Sequence, residues 1–206
     1  MVEKFNTINK DFGPFEFKEK GSKFISYLFP VSTEEEADKI LNRLKKEFYD
    51  ATHICYSYRI GSGTEDYVRI NDAGEPSGTA GRPIYQEIVR RELFNVLLAV
   101  IRYFGGIKLG KGGLQRAYSG ASRNVIDISD IVIYEIRKEV TLSVPFNLIG
   151  DIINMAGRFG IKILSQEYTQ EGVSMFLSVP AGKVEAFQSR LTEKTAGKIL
   201  LVNSEK

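Results

Sequence analysis

The sequence predicts an α+β protein of two domains, residues 1–138 and 139–206, and three observations carry that expectation. Hydrophobic spacing switches repeatedly between the two-residue repeat of strands and the 3.6-residue repeat of helices. The longest apolar run, NVLLAVIRYF at 95–104, is strand-like and lies between two helical stretches. From Glu139 onward a shorter unit starts afresh, with elements in the order βαββαβ. That order is the ferredoxin-like pattern, and a chain of 206 residues is long enough to bury two small cores.

Taken in order, residues 5–31 read as an extended hairpin. Phe15 and Phe17 alternate with charged residues, Gly21 breaks the run, and Lys23 to Val31 is mostly apolar. Ser32 and Thr33 precede Glu35 and Glu36 at capping-box spacing, and Ala37, Ile40, Leu41, Leu44 and Phe48 recur at helical intervals. His53 to Ile60 alternates as a strand, with His53, Cys55, Ser57 and Arg59 on one face and Ile54, Tyr56, Tyr58 and Ile60 on the other. The GSGTED turn leads into a second strand, Tyr67 to Ile70.

Arg82 to Glu92 is predicted to be a helix, with Pro83 in its first turn and Ile84, Ile88 and Val89 facing inward. The apolar run that follows marks a central strand covered on both faces. Leu114, Ala117, Tyr118, Ala121, Val125 and Ile128 then keep helical spacing in a helix starting near Gly113, and Ile131 to Glu135 is another strand. In the C-terminal unit the expected elements are strand Thr141–Pro145, a helix from Ile149 to Phe159 stopped by Gly160, and a hairpin of Ile161–Thr169 with Val173–Val179. Helix Val184–Lys194 and strand Ile199–Val202 complete it. This unit balances seven basic against seven acidic residues and clusters no catalytic residue types, so it reads as a binding or positioning module.

Composition excludes several classes. The hydrophobic fraction of 43% and charged fraction of 26% fit a globular chain rather than a disordered one. A single cysteine, Cys55, rules out an internal disulfide framework and fits a reducing, cytoplasmic setting. The N-terminus lacks a signal-peptide pattern, and no apolar run approaches the roughly 20 residues of a membrane-spanning helix. With one His and one Cys, the usual four N/S ligands of a structural zinc site cannot be assembled within one subunit, and no metal or cofactor is expected. Net charge is only +2, yet residues 82–123 set eight basic side chains against Glu87 and Glu92, a local excess of +6. Such clustering attracts phosphates or an acidic protein face.

Two glycine-rich loops lie in or beside this basic stretch. The second, YFGGIKLGKGG, joins the central strand to a helix and is the better candidate for anion contact, because backbone N–H groups and a helix N-terminus converge there. Its candidate binding residues are Arg102, Gly105, Gly106, Lys108, Gly110, Lys111, Gly112 and Gly113, with Arg116, Ser119 and Arg123 on one exposed face of the helix that follows. Lys111 is followed by Gly112 rather than a hydroxyl residue, so the nucleotide-binding P-loop pattern is not met, and the dinucleotide fingerprint is absent as well. Glycines required for turns and packing are the competing explanation. The first loop, DAGEPSGTAGRP, carries secondary candidates Asp72, Glu75, Ser77, Gly78, Thr79 and Gly81. Its two acids either bind a cation or act as acid and base or, more ordinarily, cap neighbouring N–H groups, with Thr79 or a neighbour as acceptor for the next helix. His53 and Cys55 share a strand face about 6.5–7 Å apart, long for a thiolate–imidazolium pair.

Three stretches, ATHICYSYRIG (51–61), NDAGEPSGTAGRPI (71–84) and VIRYFGGIKLGKGGLQRAYSGA (100–121), together resemble the IMPACT family with its bacterial YigZ-like members. The resemblance implies an N-terminal βα domain of the type shared with a small-subunit ribosomal protein, elongation factor G domain IV and the GHMP kinases. For the C-terminal unit it implies a fold similar to elongation factor G domain V. The matched positions are Ser22, Lys23, His53 and the loop and helix candidates named above other than Lys111 and Arg123, and Ala73 stands where many members carry a second Asp, which weakens an acid-pair reading. Eukaryotic members are translational regulators that bind the activator of an initiation-factor kinase through an extra domain not matched here. The expectation is a non-enzymatic protein that binds RNA or a ribosomal surface in translational control, with a protein partner in that process as a further candidate and no membrane contact. The alternative is an enzyme or sensor for a small phosphorylated metabolite, held by the glycine-rich loop.

Overall fold

The computed structural model describes residues 3–62 and 66–203. Its internal contacts divide the chain after Tyr134: Lys4–Tyr134 form one unit, and Glu3 joins residues 135–203 in the other. The first unit comprises β1 (Lys4–Thr7), β2 (Phe12–Glu19), β3 (Ser22–Pro30), α1 (Glu34–Glu47), β4 (His53–Ile60), β5 (Tyr67–Asn71), α2 (Gly81–Arg90), β6 (Val96–Tyr103), α3 (Gly110–Asp127) and β7 (Val132–Glu135). The turn expected at GSGTED includes residues 63–65, outside the described residues.

Five of these strands form an antiparallel sheet in the order β2-β3-β6-β4-β5, while β1 and β7 pair separately. The central strand is β6, and the reason for its unbroken apolar sequence is visible in the packing. Val96, Leu98 and Val100 face a core shared with Ile84 and Ile88 of α2 and Leu114, Tyr118 and Val125 of α3. Leu97 and Ala99 face the opposite side, against Ala37, Leu41 and Leu44 of α1. A large aliphatic side chain fully buried in this way contributes roughly 1.5–3 kcal/mol, so neither face of β6 tolerates a polar residue until Arg102, where the site begins.

The helices obey their local signals with small departures. Thr33 caps α1 by accepting the Glu36 N–H, and the Glu36 carboxylate accepts the Ser32 N–H at 2.7 Å, a capping box shifted by one residue. α3 starts at Gly110, three residues ahead of the expected start, so three of the loop's five glycines belong to its first turn. Val89 and Ile128, read as inward-facing, are 42% and 52% exposed. Val89 lies about 100° round the helix from buried Ile88, and Ile128 is the residue beyond the last turn of α3.

The second unit contains β8 (Arg137–Pro145), α4 (Ile149–Phe159), β9 (Lys162–Tyr168), β10 (Gly172–Pro180), α5 (Val184–Thr195) and the two-residue β11 (Val202–Asn203). Sheet order β11-β8-β10-β9 is the ferredoxin-like arrangement. Gly160 ends α4 in a left-handed conformation, φ +68°. Ile199, expected to open the last strand, is buried in this unit's core ahead of β11. A boundary after residue 138 falls inside β8.

One glycine pair fixes where the β2–β3 hairpin meets the loop after β6. A Cβ on Gly105 would stand 1.9 Å from the Gly21 carbonyl carbon and 2.0 Å from its oxygen. No flexible side chain is available to yield there. Gly105→Ala is therefore expected to lower stability by about 1–3 kcal/mol through overpacking, measured by urea unfolding, whereas Gly120→Ala, whose Cβ would meet nothing within 4 Å, is expected to stabilise by up to ~1 kcal/mol.

Candidate anion-binding site

The first glycine-rich loop is curled around Asp72. One carboxylate oxygen accepts the N–H groups of Ala80 and Gly81 at 2.9 and 2.8 Å, and the other accepts that of Gly78 at 2.8 Å. Ala80 is the N-cap residue of α2 and has no side-chain acceptor, so Asp72 satisfies the helix's orphan donors from eight positions upstream. Thr79, an acceptor proposed from sequence, instead donates its hydroxyl to the Pro76 carbonyl at 2.6 Å. Gly81 is required because a Cβ would come within 2.8 Å of the Asn71 nitrogen. Burial acts to raise the Asp72 pKa, but the N–H groups of Gly78, Ala80 and Gly81 outweigh it and hold the carboxyl below its ordinary value.

Glu75 does different work. Its buried Oε1 accepts both Arg102 Nη1 at 2.5 Å and the Tyr118 hydroxyl at 2.8 Å. Arg102 Nη2 donates to Ser22 Oγ at 3.3 Å, and the same oxygen accepts the Gly105 N–H. Arg102, a candidate for anion contact at the end of the central strand, is 5% exposed and pairs with Glu75. This pair joins the first loop to the end of the central strand from which the second loop starts.

Two neighbours complete the cluster. Cys55 Sγ lies 3.0 Å from the Asp72 carbonyl oxygen and 3.3 Å from the Tyr118 hydroxyl. Burial pushes the thiol up to about 12, and it pushes the Tyr118 hydroxyl upward too, with Cys55 and Glu75 adding to the effect. A thiol so protonated is a poor nucleophile at neutral pH. His53 Nδ1 lies 2.8 Å from the Ala73 carbonyl, and its Nε2 lies 3.9 Å from Glu75 Oε1. A carbonyl only accepts, so in the neutral ring Nδ1 holds the proton and Nε2 presents a lone pair. Ala73 itself has φ +45°, a conformation in which Asp and Asn are favoured over Ala. Among the described residues no group of three or more His, Cys, Asp or Glu is arranged to hold a metal.

Two concavities lie against α3. One, of about 530 Å³, is bounded by His53, Glu75, Arg102, Phe104, Lys108 and Lys111, with Gly110 at its edge. The other, of about 900 Å³, is a cleft between α2 and α3. Arg82, Arg116 and Arg123 line it with Ser77, Gly78 and Ser119, and helical glycines Gly112 and Gly120 form part of its wall. Gln115 reaches across to the Gly78 carbonyl at 3.3 Å. Arg123 is tied at 3.1 Å to Glu87, which also accepts the Ser119 hydroxyl. Burial raises the Glu87 pKa, but Arg123 and Ser119 outweigh it and lower the value overall.

The candidates therefore separate into groups. Ser22, His53, Glu75, Arg102, Lys108, Gly110 and Lys111 gather at or behind the smaller cavity, and Ser77, Gly78, Gly112, Arg116, Ser119 and Arg123 gather at the cleft. Asp72, Thr79 and Gly81 build the loop, while Gly105 packs on Gly21. Gly106 and Gly110 take positive φ, +85° and +70°, and Gly113 packs against Leu109. Lys23 lines neither concavity and pairs with Glu16 at 2.8 Å. Sequence reasoning missed Arg82 and Gln86, whose four-residue spacing opposite the Ile84/Ile88 stripe puts both on the cleft. It also took Tyr118 for a purely apolar stripe residue.

Family models place these features in context. The Impact N-terminal domain matches residues 20–126, and a domain of unknown function, DUF1949, matches residues 142–198. The chain belongs to the IMPACT family. IMPACT family member YvyE of Bacillus subtilis is 36% identical over 199 residues, which cover 96% of this chain and 90% of YvyE. Family member YigZ of Escherichia coli is 29% identical over 90% of this chain and 91% of its own. A protein IMPACT homolog of Dictyostelium discoideum is 38% identical over 98 residues, 45% of this chain and 27% of that protein. The crystal structure of a hypothetical protein superposes over the full length of both chains with a TM-score of 0.70 at 26% identity. No helix among the described residues is long and apolar enough to cross a membrane.

Two expectations test the buried cluster. Glu75→Leu strands the Arg102 charge and is expected to cost about 3–5 kcal/mol, with Glu75→Leu/Arg102→Leu costing much less than the two single changes together; additive losses in urea titrations would show that the pair is not coupled. Asp72, its pKa depressed on folding, contributes stability that is present above the unfolded carboxyl's pKa and is lost as pH falls through the folded value. Asp72→Asn is expected to be less stable at neutral pH and to lose less on acidification through the carboxylate range, as read by thermal unfolding across pH.

Proposed function

We propose that the protein binds RNA, free or on a ribosomal surface, through the cleft between α2 and α3, and acts in translational control as a binding protein rather than as an enzyme. One observation carries this reading: a cation-lined cleft with helical glycines on its wall. Arg82, Arg116 and Arg123 supply forked donors suited to phosphate oxygens. Gly120 lies inside α3 with nothing within 4 Å of where a Cβ would stand. A glycine there costs a helix about 1 kcal/mol relative to alanine, and packing within the chain gives it no return. A bare helix wall between arginines admits a sugar–phosphate backbone to within contact of the main chain. Lys108 and Lys111, exposed at the start of α3, extend the positive field beyond the cleft. Membership of the IMPACT family, whose eukaryotic branch the motifs resemble, supports the placement in translation.

The binding so described is dominated by phosphates and weakens steeply with salt. Arg82→Glu with Arg116→Glu is expected to lower affinity for single-stranded RNA and ribosomes at low salt and to reduce the slope of log K against log salt by about 1.4 for a single strand. Arg123 is better replaced by Gln, since a second carboxylate beside Glu87 would destabilise the fold. Filter binding across a salt series measures the slope. An unchanged affinity and slope in the double variant would refute the proposal, as would full RNA affinity in Gly120→Ala.

A further inference from the structure

The smaller cavity calls for an occupant of its own. Arg102, Lys108 and Lys111 set three cationic side chains around it against the single carboxylate of Glu75, which Arg102 already neutralises. The first turn of α3 starts at its edge, and the N-cap residue Leu109 provides no side-chain acceptor for the donors there. A second, independent feature points the same way. Arg102 Nε is buried without any hydrogen-bond partner, on a side chain only 6% exposed that forms a wall of the cavity. Buried donors are almost always satisfied, so this lining guanidinium, with its Nη atoms on Glu75 and Ser22, keeps one hydrogen bond unmade beside the cavity.

The rest of the lining specifies what the anion is attached to. Pro76, Leu109 and Leu114 are apolar, and Phe104 is 47% exposed with the Arg102 guanidinium 5.6 Å from its ring centroid. An aromatic face held beside a cation and left open is a stacking surface. A volume of about 530 Å³ falls within the range of small-molecule sites. His53 adds one directional group: its Nε2 lone pair, fixed by the Nδ1 contact to Ala73, accepts a hydrogen bond from a ligand N–H or O–H.

We infer that this cavity binds a nucleotide-sized phosphate monoester, its phosphate against Lys108, Lys111 and the start of α3 and its ring on Phe104. The site is separate from the cleft proposed for RNA: the two concavities share no lining residue. Free mononucleotides and the 5′-phosphorylated end of an RNA chain present this same chemistry.

The test uses nitrogen-15-labelled full-length protein titrated with adenosine, guanosine, cytidine or uridine monophosphate, and with inorganic phosphate. A mononucleotide at millimolar concentration is expected to shift the Gly110 and Lys111 amides and the Arg102 Nε–H resonance, with at least tenfold tighter binding than inorganic phosphate. Phe104→Ala, an exposed position, is expected to erase that tenfold preference while leaving the spectrum folded, and Lys108→Ala/Lys111→Ala is expected to abolish binding of both ligands. Arg82→Glu/Arg116→Glu should bind mononucleotides as the unaltered protein does, which separates failure of this inference from failure of the cleft reading. In the Arg82→Glu/Arg116→Glu background, where the cleft no longer holds RNA, a short RNA with a 5′-phosphate compared with its 5′-hydroxyl counterpart distinguishes the sources. Cavity shifts that require the 5′-phosphate and saturate at lower concentration than with the mononucleotide assign a chain end, and cavity shifts given by the mononucleotide alone assign a free nucleotide. Absence of shifts for all four mononucleotides, equal affinity for inorganic phosphate, or shifts confined to the α2–α3 cleft would each overturn the assignment.

Discussion

The buried pair of Glu75 and Arg102 is the constraint on which the functional end of the first unit depends. Through it the first loop is held to the end of the central strand, Ser22 ties in the opening hairpin, and Tyr118 ties in α3. Desolvating two charges costs several kcal/mol each, and only close geometry with further hydrogen bonds offsets it. The cluster meets that condition on the carboxylate side, where one oxygen takes two donors, and leaves it unmet at Arg102 Nε. An ion pair of this kind is a weak source of stability but a strong source of register. It places the two glycine-rich loops at a fixed separation, and that separation creates the concavities on either side of α3.

Much of the fold is legible in the sequence because each element there serves a single purpose. The β6 run is apolar at every position since both its faces are covered, and α1 announces itself through Thr33 and Glu36. The ferredoxin-like order of the C-terminal unit follows from alternation and from Gly160. Legibility ends where a residue serves a partner distant in sequence. Asp72 and Glu75 are three positions apart in one loop and read alike, yet one caps the start of a helix and the other neutralises an arginine 27 positions away. Charge counting sums Arg102 with the other bases of residues 82–123 because periodicity does not report its pairing with a loop carboxylate. The same holds for Glu87, which a count subtracts from the basic stretch although it sits buried beneath Ser119 and Arg123.

The glycines show how one residue type answers to several demands at once. Gly105 and Gly81 are fixed by contacts a single Cβ would violate, and Gly106 and Gly110 by backbone conformation. Gly120 answers to neither, and neither its conformation nor its packing accounts for its place on the cleft wall. A glycine-rich motif thus carries less functional information than its length implies, and the informative members emerge after the structural ones are subtracted.

The position of β6 has a consequence for how the chain assembles. It lies between β3 and β4 and joins Lys23 to Tyr103 and Pro30 to Val96, residues 80 and 66 positions apart. Neither β3 nor β4 has its central neighbour until the chain has been made past Tyr103, and their interior edges present unpaired N–H and C=O groups until then. Closing loops of that length is entropically slow. The strand that makes the finished sheet continuous is therefore the one whose late arrival leaves the nascent chain open to pairing with the wrong edge.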